Sequence, residues 1–152
     1  MPTDIKHRIR LPDGFDFLSE DNFAQPFETG DIRMDRYALR EYYGRSRNPN
    51  NLVIVYRPTG LIAGIIEITV HERFVAVEML GKNARVEATA VGTKLMSLAE
   101  GIARQLGKDE IRLESLDTVV DWYDNWLGYV EYSEPYHDPE FGRLIPKRKP
   151  LR

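Results

Sequence analysis

The sequence predicts an α/β domain: a mixed, mostly antiparallel sheet with a central parallel strand-helix-strand unit. Three observations predict it. Two strand patterns flank a tight turn from Leu52 onward. A further strand pattern runs almost directly into the longest helical pattern in the chain. Another strand pattern follows that helix without room for any other connection, which makes the pair a right-handed parallel crossover.

The elements follow in order. Ile5 to Leu11 reads as an opening strand, and Pro12-Asp13-Gly14 is a turn signal. Ser19 to Phe27 is ambiguous. Asp31 is a candidate cap for a helix running to about Tyr43, stopped by Gly44 and the polar Asn48-Pro49-Asn50-Asn51. "LVIVY" from Leu52 is a strand, "RPTG" a turn and "LIAGIIEITV" from Leu61 a second strand, together a hairpin. "FVAVEML" from Phe74 alternates as a third. From Ala88 to Gly107, Val91, Leu95, Leu98, Ile102 and Leu106 form one apolar helical stripe, and Gly107 ends it. "EIRLESL" is a strand, Thr118 to Leu127 a second helix stopped by Gly128, and "YVEYSE" a strand. "RLIPK" from Arg143 closes a final hairpin.

With 152 residues the chain is long enough for one domain with one sizeable core. Its 42% apolar and 30% charged residues are those of a globular protein rather than a disordered one. A net charge of -3 gives no reason to expect nucleic acid or a membrane surface as partner. Cysteine is absent, which removes disulfides, thiolate nucleophiles and cysteine metal sites. His7, His71 and His137 lack metal-ligand spacing, so no metal is expected. The first residues carry no apolar run of signal-peptide length, no run is long enough to span a membrane, and the expectation is a cytoplasmic protein.

Chemistry concentrates at two junctions. A helix that begins directly behind a buried strand offers free backbone N–H groups and a positive dipole end, a combination that binds phosphate. Here that junction is "GKNARVEATAVGTKL", where Ala88, Ala90 and Gly92 keep the backbone approachable and Lys82, Arg85 and Lys94 are cationic. By local physics alone the signal is weak, and a helix start with small residues for close packing accounts for it better. The second junction is "WYDNWLGY" from Trp122. Trp122 and Trp126 share a helical face and suit the core, with Tyr123 turned off that face. The residues alone leave open whether Tyr123 packs with them or works through its hydroxyl.

Taken together, Phe74 to Tyr132 resembles the core of the GNAT superfamily of acyl-CoA-dependent N-acyltransferases. That family carries Arg/Gln-x-x-Gly-x-Gly/Ala, often followed by x-x-Leu, at the strand-to-helix junction. The matching stretch here is Glu87-Ala88-Thr89-Ala90-Val91-Gly92-Thr93-Lys94-Leu95. Gly92 and Leu95 match; Ala90 replaces the first Gly, and Glu87 stands where the family has a residue that favours the pyrophosphate. The family's aromatic-Tyr pair followed by Leu-Gly-Phe/Tyr is matched by Trp122-Tyr123 and Leu127-Gly128-Tyr129. The resemblance extends over residues 52–152 if the hairpin is counted. It implies a GNAT-like fold, with residues 1–51 a variable substrate-side segment, 52–134 the core and 135–152 a C-terminal turn and strand.

The resemblance also implies roles. Main-chain amides of Ala88, Thr89, Ala90, Val91, Gly92 and Thr93 would hold the pyrophosphate of coenzyme A, and Met79, Leu80 and Gly81 would pair with its pantetheine arm. Asn125 would add a cofactor contact. Tyr123 would be the general acid that protonates the leaving thiolate; a phenol with a pKa of about 10 keeps its proton at neutral pH. For the general base there are two strand carboxylates. Glu78 shares a face with Phe74, Ala76 and Leu80 if its strand alternates, and Glu67 shares one with Thr69 and His71, which reads as more solvated. The implied activity is transfer of an acetyl group from acetyl-CoA to a small-molecule or peptide amine. A catalytically inactive binding module, another acyl-CoA and an acyl-carrier-protein donor are the alternatives. A homodimer is compatible with the resemblance, though no residue pattern demands it.

Overall fold

A computed structural model describes residues 5–30, 35, 39–116 and 122–151, with the backbone alone for Leu116, Asn125 and Trp126. The described strands are β1 (Phe15–Phe17), β2 (Asn51–Tyr56), β3 (Gly64–Val70), β4 (Phe74–Lys82), β5 (Glu110–Leu116), β6 (Val130–Glu131), β7 (Tyr136–Asp138) and β8 (Gly142–Pro150). They form one sheet in the order β1-β2-β3-β4-β5-β8-β6, and β7 also pairs with β8. β4 and β5 are parallel, and the other described pairs are antiparallel. The described helices are α1 (Leu39–Arg45) and α2 (Val91–Gln105), and α2 makes the crossover between β4 and β5.

The apolar stripe does what its spacing requires. Val91, Leu95, Leu98 and Ile102 are buried, joined by Met96, Ala99 and Ala103. They pack on Leu52, Ile54, Ile66, Ile68, Val75, Ile111 and Leu113 from one face of the sheet. Each Val, Leu, Ile or Met among them stabilises the fold by about 1.5–3 kcal/mol through area removed from water. The opposite face of β2 and β3 is covered by Leu18, Leu39 and Tyr42, which meet Val53, Val55 and Ile65. Past its last turn α2 closes with Gly107 N–H to Arg104 O (3.0 Å) and Lys108 N–H to Ala103 O (2.9 Å). This paired closure needs a left-handed residue, and Gly107 takes it with φ 71°.

Several expected boundaries shift, each for a local reason. Ile5 to Leu11 is not a strand: Ile5–Arg8 is a 3₁₀ turn. Arg10 N–H donates to Gln105 Oε1 (2.8 Å) and Gln105 Nε2 donates back to Arg10 O (3.2 Å), which ties this segment to the end of α2 and leaves the edge beside β2 to β1. The second hairpin strand begins at Gly64, because Ile62 N–H is taken by Gln25 Oε1 (2.8 Å). The first helix ends at Arg45, one residue beyond Gly44, and its expected start at Asp31 lies outside the described residues. Likewise the expected start of the helix at Thr118 lies outside them. The described part, Trp122–Trp126, is a π-type turn closed by Tyr129 N–H to Tyr123 O (2.9 Å), with Gly128 at φ 77°. "YVEYSE" contributes only the short β6, while "RLIPK" belongs to a longer β8 that lies between β5 and β6.

Helix α2 starts at Val91, later than Ala88, because Ala90 is left-handed (φ 53°, ψ 35°). An L-residue pays about 1–2 kcal/mol in that region relative to glycine, of which glycine's greater unfolded-state freedom takes back a part. Ala90→Gly is therefore expected to stabilise the protein by about 1 kcal/mol, read as a higher urea midpoint with an unchanged slope. A variant no more stable than the natural chain would show that residue 90 is not left-handed in solution.

Candidate active site

The site begins with a break in a strand. β3 and β4 pair Glu67 with Met79 and then Ile68 with Val77, so Glu78 is the extra residue of a β-bulge. A bulge stops the alternation of faces at that point. Val77 and Leu80 both pack against the α2 side, whereas Met79 packs on the opposite face. Glu78 therefore keeps Phe74 and Ala76 as companions but not Leu80. It is exposed rather than set among apolar side chains, and its Oε1 accepts a hydrogen bond from Thr69 Oγ1 (2.7 Å). The two carboxylates thus exchange the surroundings expected of them. Glu67 is the buried one, 4% exposed, held by Arg45 Nη1 (3.2 Å) and Asn51 Nδ2 (3.1 Å).

The second break is between strands. The parallel pairing of β4 with β5 stops at Val77 and Leu113, although both strands run on to Lys82 and Leu116. Beyond that point they part, and a cleft of about 710 Å³ opens. Its lining includes Glu78, Met79 and Leu80 from β4, Leu113 and Glu114 from β5, and Trp122 and Tyr123. Glu78 also lines a shallower pocket of about 650 Å³ with Glu67, Thr69, Asn48 and Asn51. Among the described residues it alone belongs to both linings.

Tyr123 reaches the cleft because its turn is held from two sides. Lys147 of β8, 3% exposed, places its ammonium 2.7 Å from Asp124 Oδ1. Trp122 lies over the start of α2, where a Cβ on Gly92 would come within 3.2 Å of the indole. The glycine thus lets the aromatic turn rest on the helix. Trp122 lines the cleft and is only partly buried, while Tyr123 is 8% exposed, set edge-on to Tyr129 with ring centroids 5.8 Å apart. The expectation of packing tryptophans beside a protruding tyrosine is thus modified, since a π-type turn spaces side chains differently from an α-helix. The side chains of Asn125 and Trp126 lie outside the description.

Burial pushes the Tyr123 phenol up to about 12. Between pH 10 and 12 the folded protein keeps a proton that the unfolded chain has lost, so stability falls as pH rises through that window and is fully present below it. Burial and the nearby Glu100 carboxylate raise Tyr129 as well. Subtracting the pH profile of Tyr123→Phe isolates the Tyr123 share. The natural chain is expected to lose about 2–3 kcal/mol more than the variant between pH 9.5 and 12, measured by denaturant titration. Equal losses would mean that Tyr123 is hydrated.

The residues expected to bind a pyrophosphate, Ala88 to Thr93, stand together at the start of α2. Among the described residues no side chain caps this helix, and the Val91 side chain is buried, so backbone N–H groups are available as donors there. Glu87 and Arg85 are exposed, and Lys94 Nζ donates to Tyr56 Oη (3.2 Å). The free backbone groups fit an anion such as the coenzyme A pyrophosphate; the Glu87 charge does not assist it. Met79, Leu80 and Gly81 pair with β3 on one side and have no β5 partner on the other, which fits an extended amide-bearing arm. Gly81 and Ala88 to Thr93 are not in the lining of the 710 Å³ cleft.

The sequence reading missed Asn83, which is wholly buried. Its Nδ2 donates to Ile62 O (2.7 Å) and Pro26 O (3.0 Å). Its Oδ1 accepts from Arg85 N–H (3.1 Å) and Glu28 N–H (3.3 Å). It fastens the β4-to-α2 loop to two distant segments. Lys147, which seats Asp124, carries no local sequence signal either.

The same fold occurs in solved N-acetyltransferases. Among solved structures the chain is similar to nourseothricin acetyltransferase, at 20% identity over 69% of this chain and 68% of that one, with a TM-score of 0.58. It is similar to an aminoglycoside 6'-N-acetyltransferase complexed with coenzyme A, at 14% identity over 78% and 84%, TM-score 0.63. It is also similar to the ribosomal-protein-S18-alanine N-acetyltransferase of Escherichia coli, at 13% identity over 76% and 77%, TM-score 0.62. No protein-family profile matches the chain, and no curated protein sequence does. The chain has the GNAT fold.

Proposed function

We propose that this protein is an N-acetyltransferase that moves an acetyl group from acetyl-CoA to a primary amine by direct attack. The observation that carries the reading is the cleft between the parted strands, which has Glu78 and Tyr123 in one lining. The N-terminus of α2 supplies donors for the pyrophosphate, Ala88 to Thr93, and the unpaired side of Met79, Leu80 and Gly81 receives the pantetheine arm. The thioester brings the activated acyl group. Glu78 takes the amine proton, a backbone N–H of β4 faces the developing oxyanion, and Tyr123 gives its proton to the departing sulfur. Asn125 is a further contact on the cofactor side. The acceptor is a small-molecule or peptide amine.

A second reading, an acyl-carrier-protein donor, is favoured by one observation: Glu87 beside the helix start weakens a pyrophosphate site but leaves a pantetheine site intact. Calorimetric titration with acetyl-CoA and with coenzyme A separates the two. Micromolar binding is expected, about tenfold tighter in Glu87→Arg, where a repulsive charge becomes attractive. Failure of both proteins to bind either ligand would withdraw the acetyl-CoA assignment.

A further inference from the structure

The bulge that expels Glu78 from the pleat sets it beside two residues of the β3–β4 hairpin. Thr69 Oγ1 lies 2.7 Å from Glu78 Oε1 and 3.0 Å from His71 Nε2. A hydroxyl has one proton to give and two lone pairs. An ionised carboxylate only accepts, so the Thr69 proton goes to Glu78 and its oxygen must accept from His71 Nε2–H. The three side chains then form a chain with one direction: His71 to Thr69 to Glu78. His71 is fixed at the far end. Its backbone N–H donates to Phe74 O (2.9 Å), and its ring stacks on Phe74 at 4.4 Å and 13°. The Phe74 ring in turn lies 4.0 Å from the Arg112 guanidinium. His71, Phe74, Glu78 and Arg112 all line the larger cleft.

We propose that Thr69 and His71 are positioning residues for the base of this acyltransferase: His71 orients the Thr69 hydroxyl, and that hydroxyl occupies Oε1 of Glu78 so that the amine proton is taken at Oε2. In the step itself an N–H bond of the amine breaks and an O–H bond to Oε2 forms. The Thr69 and His71 protons stay where they are. The inference rests on the acetyltransferase reading for its catalytic part and on donor counting alone for the arrangement of protons.

Two measurements test it. The first is independent of activity. Nitrogen-15 NMR of the His71 ring, assigned with His71→Gln, is expected to show an Nε2–H slowed in its exchange with solvent in the natural chain, with that slowing lost in Thr69→Val. A ring protonated only at Nδ1 in the natural chain overturns the chain of hydrogen bonds. The second is kinetic, with a polyamine, an aminoglycoside and a short peptide as acceptors. Thr69→Val is expected to lower kcat about tenfold with coenzyme A affinity unchanged, the loss of one hydrogen bond to a charged group. Thr69→Ser restores the hydroxyl and recovers the rate. In a Glu78→Gln background Thr69→Val should cost nothing further, because the two act as one unit. Additive losses, or an undiminished kcat in Thr69→Val, overturn the positioning role. A natural chain that acetylates none of the acceptors removes the acetyltransferase reading and the catalytic part together, while the NMR result still decides the proton arrangement.

Discussion

If the protein carries out the proposed acetyl transfer, replacing Tyr123 with Phe is expected to lower kcat by about 10²–10⁴-fold and to leave the affinity for coenzyme A unchanged. The hydroxyl is the only group removed, and the ring keeps its edge-on contacts with Trp122 and Tyr129, so the fold is retained. The loss should appear in kcat, because the proton is needed when the sulfur departs and not when the cofactor binds. A phenol pushed up to about 12 by burial stays protonated through the working pH range, and a donor that is always loaded produces no alkaline limb of its own below that value. A variant with the rate of the natural chain would return Tyr123 to the core and leave the cleft without an acid.

The largest loss of stability is expected at Asn83. Asn83→Leu keeps the branched shape but leaves the carbonyls of Ile62 and Pro26 without a donor and the N–H groups of Glu28 and Arg85 without an acceptor. An unsatisfied buried group costs about 1–3 kcal/mol, and those nearest solvent recover part of it from water, so the total is about 3–5 kcal/mol. Urea denaturation measures it. Calorimetry should also show weaker coenzyme A binding, since the loop that Asn83 fastens leads to the N-terminus of α2. A loss under about 1 kcal/mol would mean that water replaces the side chain without strain.

How much of this was legible in the residues depends on whether the signal was local. The stripe from Val91 to Leu106 announced its helix because a period near 3.6 has one structural meaning. The Leu52 hairpin and "EIRLESL" were readable for the same reason: alternation or a short apolar run bounded by turn residues. The GNAT resemblance rested on two junctions: the helix of the first starts at Val91 rather than Ala88, and the described part of the second, Trp122–Trp126, is a π-type turn. The environments of the two carboxylates were not legible. Nothing in "IIEITV" or "AVEML" marks which glutamate is buried, because a bulge is a mismatch between two strands and neither strand carries it alone.

Residue order therefore settled the central hairpin, the long helix and the parallel unit that it bridges, and it offered Tyr123 as a candidate acid, since each depends on neighbours a few positions apart. Tertiary structure decided the rest. It set Glu78 out of the pleat and Glu67 into it, parted β4 from β5 after Val77, turned Ala90 left-handed, and brought Lys147 to Asp124 and Asn83 to Pro26. Apart from the Ala90 conformation, these are meetings between residues distant in the chain, and their energies come from pairing and burial that no single segment contains.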